Sequence, residues 1–583
     1  MLTLPKMRVR DTSRHVTDIF RGYNHNIKIR DGEFFEETNL CSDDYPMLAN
    51  RGKRGTVKTL GAPGGLLEKD ALAYVDSGTL WYNGLETGLT GLSEGEKQMV
   101  SMGAYLCIFP DKVYFNTADI SDFGSMEASY TSQGEISYAL CRQDGTPYEK
   151  VCTGITEPEE SFDLWIDTSG DKAIAMQWSA SMGGWVELST VYTKITFSSQ
   201  GQIGSAFAEY DGVEISGAQF ADANGSKILY AVGGEENSVS DYIVVIGLLE
   251  ENFTQSEGSI SVKRELPQMD YVCECQNRLW GCYYGVRDGK TLNEIYCCAL
   301  GDFKNWSQFM GLSTDSWTAS VGSDGQWTGA VNYLGYPTFF KENRVHRVTV
   351  SSSGAHQIDE TVCRGVQKGS HKSLKVVNET LYYKSRTDIC AWQGGFPEGV
   401  SYALGSTKYY QAVAGSFGEK YYISMKDESG SWHLFVYDIS RGIWHREDNL
   451  HALCFAAVDD ELYCIDADSG ALLALNGTTG QLEDEVQWEA VSGILYYEYT
   501  NKKYVSRYNF RVRMDEGTKL RLYIRYDSEG FWEESGVIFE HITGTVTVPV
   551  RPRRCDHLQI KLQGTGNIRI FSLARILEVG SDK

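Results

Sequence analysis

The sequence has no long apolar run, and its first residues do not show the pattern of a secretory leader. No stretch of 18 apolar residues occurs among its 583 residues, which argues against a transmembrane helix. Charged residues within positions 1–10 stand where a signal peptide has its apolar core, so we expect no secretory signal. Proline is also scarce, with 11 residues against 60 glycines, so turns are expected to depend mainly on glycine, asparagine and aspartate.

Motifs for metals, phosphates and disulfides are missing as well. The 14 cysteines show no paired spacing and several fall in predicted strands, which favours buried free thiols, with disulfides as the alternative. Cys273 and Cys275 would point to opposite faces of a strand, and no second pair completes a zinc site. The ten histidines lack HExxH spacing, and the glycine-rich residues 61–65 lack the Lys-Ser/Thr of a phosphate loop. We therefore predict no metal, no cofactor and no catalytic residue.

Charge is strongly negative and unevenly distributed. The net charge of −24 argues against specific nucleic-acid binding. Residues 501–583 carry 15 Lys and Arg against 10 Asp and Glu, a net charge of +5, which leaves −29 for the first 500 residues. A mildly basic terminal domain on an acidic body is predicted, and a locally solvated face is the simpler explanation.

A short signature recurs along the chain, in which a turn residue precedes an apolar or aromatic pair. It falls at seven positions: Leu80, Val113, Leu279, Val345, Leu381, Tyr421 and Leu462. The last four are 36, 40 and 41 residues apart, close to the period of a β-propeller blade. The 166 residues between Val113 and Leu279 are too many for one blade, which indicates an inserted domain.

Residues 411–448 show the pattern of a single blade most clearly. Four short apolar runs are separated by Gly, Ser and Asp clusters, which predicts a four-stranded antiparallel sheet. The third run, residues 432–439, is apolar on both faces of the predicted strand. Such a strand should lie between two neighbouring sheets, as the inner strands of a propeller do.

These patterns predict an all-β protein with a β-propeller of about seven blades, within a range of six to eight. Residues 1–119 are assigned to the first part of the propeller, and residues 120–267 to an inserted small β-barrel or β-sandwich. Residues 268–485 then hold the remaining blades and residues 486–583 a C-terminal β-sandwich. An N-terminal strand is expected to complete the last blade.

The C-terminal domain carries the candidate interaction surface. Residues 507–514 and 519–526 alternate apolar and polar side chains, which predicts two strands that set four to six cations on one outer face. A second basic cluster at residues 551–554 is interpreted as an ion-pair network or an anion clamp. The predicted surface residues are Arg507, Arg511, Arg513, Arg521, Arg525, Arg551, Arg553 and Arg554.

Particular residues suggest two alternative functions that involve carbohydrates. Exposed aromatics such as Trp165, Trp185 and Trp532 could stack on sugar rings in a glycan-binding module. Residues 320–327, SVGSDGQW, faintly resemble the Ser-x-Asp-x-Gly-x-x-Trp turn of sialidase propellers, although the spacing differs and the turn occurs once. A propeller glycosidase would in addition need two carboxylates at a suitable separation, which sequence alone does not place.

Four long segments resemble a group of mostly unnamed proteins associated with the particles of phages and prophages of Gram-positive gut bacteria. They are residues 321–348, 363–385, 412–448 and 548–582. The segment NLCSDDYPMLANRGKRG at residues 39–55 is similar in style to phage propellers that act as neck or packaged-DNA stabilisation proteins. The resemblance implies a structural role in the particle and transfers no catalytic residue.

The favoured hypothesis is therefore a non-enzymatic structural protein of a phage or prophage particle, in the neck, tail or host-contact apparatus. It would be made in the bacterial cytoplasm, become part of the virion, and contact other virion proteins in multiple copies or a ring. A glycan- or receptor-binding module of the tail is the alternative, and a propeller glycosidase is the third. Neither specific nucleic-acid binding nor a membrane partner is expected.

Overall fold

The computed structural model describes residues 12–234, 240–287, 289–351, 354–497, 502–539 and 541–579. Strands make up 52% of the chain and helices 3%, so the protein is all-β, as the sequence predicts. In the described ranges no helix is both long enough and apolar enough to cross a membrane. The helical segments are α1 (Gln202–Ala206) and three 3-10 turns, Ala221–Ala223, His371–Ser373 and Tyr402–Leu404.

The first part of the chain contains five separate strands and two complete sheets. Strands β1 to β5 are Thr12–Thr17, Phe34–Thr38, Leu40–Cys41, Leu48–Asn50 and Gly55–Thr59. The first sheet, in the order β6-β7-β8-β9, consists of Pro63–Lys69, Ala71–Asp76, Thr79–Tyr82 and Leu85–Glu86. The second, β10-β11-β12-β13, consists of Gln98–Met102, Tyr105–Phe109, Val113–Asn116 and Phe123–Ser125.

Thirteen strands then form the segment that the sequence predicts as an insertion. Strands β14 to β20 are Ala128–Thr131, Ile136–Cys141, Val151–Gly154, Leu164–Asp167, Ile174–Ser179, Gly184–Glu187 and Tyr192–Phe197. Strands β21 to β26 are Gly212–Ser216, Gly225–Ile228, Ala231–Gly233, Tyr242–Ile246, Phe253–Gln255 and Ser261–Arg264. They form the sheets β14-β26-β21-β22, β23-β24-β20-β15-β25 and β16-β17-β18-β19, and share one apolar core.

Four sheets of consecutive strands follow. Strands β27 to β30 are Tyr271–Glu274, Leu279–Arg287, Lys290–Cys297 and Trp317–Ser320. Strands β31 to β34 are Gly329–Tyr333, Tyr336–Lys341, Arg344–Val350 and His356–Val362. Strands β35 to β38 are Lys375–Val377, Thr380–Lys384, Ile389–Trp392 and Glu398–Gly399. Strands β39 to β42 are Tyr409–Phe417, Lys420–Asp427, Trp432–Asp438 and Ile443–Arg446.

The next sheet takes one strand from the N-terminal part of the chain. It consists of β43 (Ala452–Val458), β44 (Glu461–Asp466), β45 (Ala471–Ala474) and β46 (Gln481–Leu482), with β5 between the last two. Strand β5 runs antiparallel to both β45 and β46. A strand from the N-terminal part of the chain therefore joins this sheet.

The seven sequence signatures fall in seven different sheets of the described chain. Leu279, Leu381, Tyr421 and Leu462 lie on the second strand of their sheets, whereas Leu80, Val113 and Val345 lie on the third. The spacing of 36 residues between Val345 and Leu381 is thus shorter than the next two because it joins a third strand to a second one. The signature marks the hairpins of these sheets but not always the same hairpin.

The sheet formed by residues 409–446 agrees with its prediction in detail. On β41, Leu434 and Val436 pack into one apolar cluster, while Phe435 and Tyr437 pack into another on the opposite face. Both faces of this strand are therefore covered, as the lack of alternation in the sequence indicates. Strand β39 packs against β35 on one side and β43 on the other.

The described chain divides into two compact units. Unit 1 comprises Met1–Lys97, Thr338–Arg347 and Asp359–Lys583, and unit 2 comprises Gln98–Pro337 and Val348–Ile358. In unit 1 the first strands of four sheets lie side by side in the order β35, β39, β43 and β6. In unit 2 the first strands β10, β27 and β31 lie side by side in the same manner.

The C-terminal sandwich includes strands that the sequence assigned to the propeller. Strands β47 to β53 are Gln487–Ser492, Lys503–Met514, Lys519–Tyr526, Glu533–Ile538, Ile542–Pro549, Leu558–Thr565 and Ile568–Val579. One sheet has the order β3-β4-β53-β48-β51 with β1 also on β53, and the other has the order β2-β47-β52-β49-β50. Strands β1 to β4 thus lie in the sandwich, where Phe20, Phe34, Leu40 and Leu48 complete its apolar core.

Candidate functional site

Two neighbouring sheets of unit 1 place polar side chains at one common edge. In an antiparallel meander, the first strand begins at the edge where the second strand ends and the third begins. Lys384 ends β36, Ile389 begins β37, and Tyr409 begins β39. Since β35 packs against β39, these ends of the two sheets lie close together.

A cleft of about 240 Å³ opens at this edge, and we call it the Lys384 cleft. Lys384, Asp388 and Asn26, which carry ammonium, carboxylate and amide groups, are among its lining residues. Hydroxyl groups supply most of the remaining polar lining, from Thr387, Ser401, Tyr402, Ser406, Thr407 and Tyr409. A wall of this composition offers many hydrogen-bond donors and acceptors over a small area.

Lys384 is the buried charge of the cleft. Its side chain is 3% exposed, and its ammonium donates a hydrogen bond to the backbone carbonyl of Ser385. The carboxylate nearest in sequence, Asp388, is already paired with the guanidinium of Arg364 and with the Thr387 hydroxyl, which donates at 2.7 Å. Burial lowers the pKa of Lys384 to about 8, an effect that Cys390 and Asp388 partly oppose. An ammonium with three donors therefore has one acceptor among the described residues.

The loop that carries the hydroxyl groups is held against the N-terminal segment. The backbone N–H of His25 donates to the carbonyl of Ala403 at 2.8 Å, and the Asn26 amide donates to the carbonyl of Tyr402 at 2.9 Å. Gly405 has φ +74°, and a Cβ there would lie 2.5 Å from the carbonyl oxygen of His25. Glycine is thus required where the loop turns against residue 25.

An aromatic side chain of the cleft stands exposed to solvent. Tyr402, one of the lining residues, is 80% exposed. Inside the cleft, burial raises the pKa of Tyr409 to about 12, so its hydroxyl stays protonated at neutral pH and can donate. The arrangement combines an aromatic ring in solvent with a polar, hydroxyl-rich interior.

A larger cleft of about 390 Å³ in unit 1 is lined by cations that all have a carboxylate partner. Lys53 pairs with Glu485 at 2.9 Å and Arg569 pairs with Asp44. Arg51 pairs with Glu483, which is not itself a lining residue. Each of these cations already has a carboxylate partner. The Lys384 cleft is therefore the better candidate for a ligand site.

The predicted arginine surface is divided between two opposite faces of the sandwich. Strand β48 carries Arg507, Arg511 and Arg513, while β49 carries Arg521 and Arg525, and the two strands belong to different sheets. Their inward residues meet in one apolar core, so their outward residues point in opposite directions. The prediction of one outer face is therefore wrong for these five residues, because the chain crosses from one sheet to the other between the strands.

The remaining predicted arginines lie in the connection after β51. Arg553 pairs with Glu529 and, at 2.6 Å, with Glu533, so its network stays within the sandwich. Arg551 and Arg554 are exposed. On the face that contains β49, Arg525 donates to Gln559 and Arg521 lies 3.9 Å from Glu534.

The tryptophans predicted as sugar platforms are held in the structure by other contacts. Trp165 is 7% exposed and its indole N–H donates to Gly154 at 3.0 Å. Trp185 is half-buried, donates to Pro158 at 3.3 Å and contacts Trp165 edge-on. Trp532 lies under the guanidinium of Arg525, 4.7 Å from the ring centroid. None of these three rings presents a free face comparable to that of Tyr402.

Two further predicted sites are accounted for as local structure. Trp327, in the turn that faintly resembles sialidase motifs, is buried and donates to the carbonyl of Tyr283 at 3.2 Å. Cys273 and Cys275 are buried free thiols whose pKa values are raised by burial. Among the described residues, no three His, Cys, Asp or Glu side chains lie close enough together to hold a metal ion.

Comparisons with known proteins give distant structural matches. No family model and no curated protein matches the chain. An exo-β-1,3-galactanase from Phanerochaete chrysosporium aligns with a TM-score of 0.21 and 8% identity, covering 52% of this chain and 94% of its own. A family 43 arabinoxylan arabinofuranohydrolase from Bacillus subtilis has a TM-score of 0.15 and 9% identity, covering 72% and 95%. Trypanosoma rangeli sialidase has a TM-score of 0.19 and 8% identity, covering 90% and 96%.

These matches contradict the prediction that the chain is not an enzyme, because they are glycoside hydrolases and a sialidase, and we withdraw that prediction. At such low TM-scores and identities they transfer no substrate and no catalytic residue to this chain. They include no phage protein, so the resemblance to virion-associated proteins stays a prediction.

Proposed function

We propose that this protein binds a carbohydrate in the Lys384 cleft. The observation that carries the proposal is the buried Lys384 ammonium, which has one backbone acceptor in a wall of hydroxyl groups. A buried ammonium is stable when its remaining donors find acceptors. Sugar hydroxyl and ring oxygens supply such acceptors, and sugar hydroxyl protons can be accepted by the serine and threonine oxygens of the wall.

The exposed ring of Tyr402 favours the same class of ligand. A pyranose ring has an apolar face of C–H groups as well as polar edges, so it is matched by an aromatic ring next to hydrogen-bonding groups. Tyr402 lies on the loop whose Ser401, Ser406 and Thr407 line the cleft. One short loop therefore presents both an aromatic surface and hydroxyl groups to a bound saccharide.

The proposal includes a propeller arrangement of the small sheets. The side-by-side first strands β35, β39, β43 and β6 in unit 1, and β10, β27 and β31 in unit 2, support it. The insertion of β5 into the sheet of β43 supports it as well, since propellers commonly combine N- and C-terminal strands in one blade. Seven blades would correspond to the seven sheets that carry the sequence signature.

On the resemblance of its four long segments, we also propose that the chain is part of a phage or prophage particle. A rigid β scaffold would present the cleft to host-surface glycans while other faces contact virion proteins. Mass spectrometry of purified particles tests this placement. Absence of the chain from particles that contain their portal and tail proteins would contradict it.

Lys384→Met should weaken binding of the recognised glycan by about 1.5–3 kcal/mol, roughly tenfold to 150-fold, because it removes a charged hydrogen-bond donor from a buried site. A glycan array with the full chain identifies the ligand, and calorimetric titration then measures the affinity of each variant. Methionine keeps most of the side-chain volume, so the apolar packing of the stem is retained.

Lys519→Met serves as the matched control, because Lys519 is exposed on the sandwich and should leave the affinity unchanged. Tyr402→Ala should also weaken binding, since it removes the exposed aromatic ring. Unchanged affinity in Lys384→Met, or no bound glycan on an array of bacterial surface polysaccharides, would overturn the proposed function.

Hydrolysis of a glycosidic bond is a second candidate function, favoured by Asp270 of unit 2. Asp270 precedes β27, is half-buried, and accepts the backbone N–H of Tyr284 at 2.8 Å without an ion-pair partner in the described chain. Burial raises the pKa of its carboxyl group. A carboxyl group of this kind suits a general acid, which gives its proton to the leaving oxygen as water adds to the anomeric carbon and loses a proton to a second carboxylate acting as the base.

Asp270→Asn should then lower the rate at which new reducing ends are released from the polysaccharide by about a hundredfold or more, which is the usual contribution of a general acid. The amide oxygen can still accept the Tyr284 N–H, so the local fold should persist. Asp119→Asn, at an exposed carboxylate, is the matched control. A polysaccharide hydrolysed equally fast by both variants would eliminate Asp270 as the acid.

A further inference from the structure

A second group of charged residues in unit 1 lies outside the Lys384 cleft. We call it the Lys375 cluster, and it consists of Glu96, His371, Lys372 and Lys375. The Lys372 ammonium donates to the carbonyl of Leu453 at 2.6 Å and lies 3.1 Å from the Glu96 carboxylate. The imidazole Nε2 of His371 lies 3.4 Å from the same carboxylate.

The cluster lies where the first strands of the sheets begin. Lys375 is the first residue of β35, and His371 and Lys372 form the 3-10 turn immediately before it. Leu453 lies near the start of β43, and Glu96 shortly precedes β10 along the chain. The hydrogen bond from Lys372 to Leu453 therefore brings the beginnings of two first strands together.

Lys375 differs from the other members because its ammonium has neither a hydrogen bond nor an ion pair to any described residue. Its side chain is half-buried, next to Lys372 and the thiol of Cys454. Burial lowers the pKa of Lys375, and the positive charge of Lys372 lowers it further. The ammonium thus occupies a partly desolvated position with no anion from the described chain beside it.

The charge balance of the cluster differs from that of the buried arginine ion pairs of this protein. Buried Arg54 is paired with two carboxylates, and buried Arg264 and Arg575 are each paired with one. In the Lys375 cluster, Glu96 is the one carboxylate beside two ammonium groups, and it pairs with Lys372 but not with Lys375. Burial acts to raise the pKa of Glu96, but His371 and Lys372 together lower it to about 2. One positive charge of the cluster is therefore left unbalanced.

We propose that the Lys375 cluster binds a small oxyanion, the phosphate or carboxylate group of an organic ligand. Lysine ammonium groups bind such anions as compact point charges with several rotatable donors. The Lys372 side chain is already oriented by Leu453 and Glu96, so binding of an anion would require little further ordering of this side chain. Lys375 remains accessible to solvent, and a bound anion would supply the partner that its ammonium lacks.

Calorimetric titration of the full chain with inorganic phosphate tests this site. Lys375→Met should weaken phosphate binding by about tenfold or more, equivalent to about 1.4 kcal/mol. Lys375→Arg should retain binding within a few-fold, because it keeps the positive charge. Lys384→Met should leave phosphate binding unchanged, which separates this site from the carbohydrate cleft.

Circular dichroism and a thermal melt of each variant report whether it remains folded. If Lys375→Met is unfolded, loss of binding in Lys372→Met with retention in Lys375→Arg tests the same prediction. Equal phosphate affinity in the wild type and a folded Lys375→Met variant would overturn the proposal, and so would the absence of saturable phosphate binding by the wild type.

Competition experiments distinguish the two sources of the anion. Displacement of phosphate by glycerol 3-phosphate would assign a phosphoryl group, and displacement by glucuronate would assign a carboxylate. Displacement by neither compound would contradict the assignment of the site to an organic ligand.

Discussion

Replacing Arg54 by methionine should reduce the local stability of unit 1 by about 3–5 kcal/mol, because it removes one partner from a buried ion-pair network. The Arg54 side chain is 7% exposed and lies 2.6 Å from both Glu447 and Asp448. Without the guanidinium, two carboxylates would remain in a poorly solvated position. Hydrogen exchange read by mass spectrometry should become about a hundredfold faster or more in peptides covering β5 and β43.

The same network predicts a pH dependence of stability. Burial acts to raise the pKa of the Asp448 carboxyl, but Arg54 and Arg51 together hold it below its usual value. A carboxyl with a lowered pKa in the folded protein contributes stability above its unfolded pKa of about 3.9, and this contribution is lost as the pH falls through the folded value. Acid should therefore diminish the difference between the wild type and Arg54→Met.

Arg553→Met is the matched control for this experiment. Arg553 also pairs with two carboxylates, Glu529 and Glu533, but all three side chains are about a third or more exposed. Exposed ion pairs typically contribute about 1 kcal/mol or less. Equal effects of the two substitutions would contradict the account given for Arg54.

Replacing Trp444 by alanine should lower the free energy of unfolding by about 3–5 kcal/mol, the usual cost of deleting a large buried aromatic side chain. Trp444 is 2% exposed, stacks on Tyr437 with ring centroids 4.7 Å apart, and donates its indole N–H to Val400 at 2.8 Å. Its loss would leave a cavity and an unsatisfied carbonyl between the sheets of β35 and β39. Urea denaturation followed by fluorescence measures the shift in midpoint.

Trp432→Ala provides the comparison within the same sheet. Trp432 is half-buried and stacks on His451 with ring centroids 3.8 Å apart. Loss of this stacking should lower the free energy of unfolding by about 0.5–1.5 kcal/mol, in addition to the effect of the lost burial. A midpoint shift for Trp432→Ala as large as that for Trp444→Ala would show that burial in this sheet does not determine the effect.

Local sequence patterns predicted individual strands well. The alternation in residues 507–526 identified Tyr508, Phe510 and Val512 of β48 as inward-facing, and all three are buried in the sandwich core. The same pattern placed Arg507 and Arg521 on a common face, which is wrong. Alternation reports which side of its own strand a residue occupies, but the sheet that each strand joins depends on pairing with distant segments.

The N-terminal strands show the same limit. Residues 12–50 contain short apolar runs that are compatible with several sheets, and their sequence does not specify a partner. Pairing of β1 with β53 and of β2 with β47 joins segments more than 400 residues apart. The core residues Phe20, Phe34, Leu40 and Leu48 make this choice favourable, because they bury apolar surface that the sandwich would otherwise expose.

The amino-acid sequence is sufficient to predict that the chain folds into many small sheets, since hydrophobic periodicity and turn residues act over a few neighbouring positions. The location of a ligand site, in contrast, depends on tertiary packing. The Lys384 cleft draws Asn26, Lys384 and Tyr409 from three separate segments, and no short pattern connects them. Its defining property is a buried ammonium with one acceptor in the part of the chain that the structure describes. This property exists only once packing has excluded water and assigned Asp388 to Arg364.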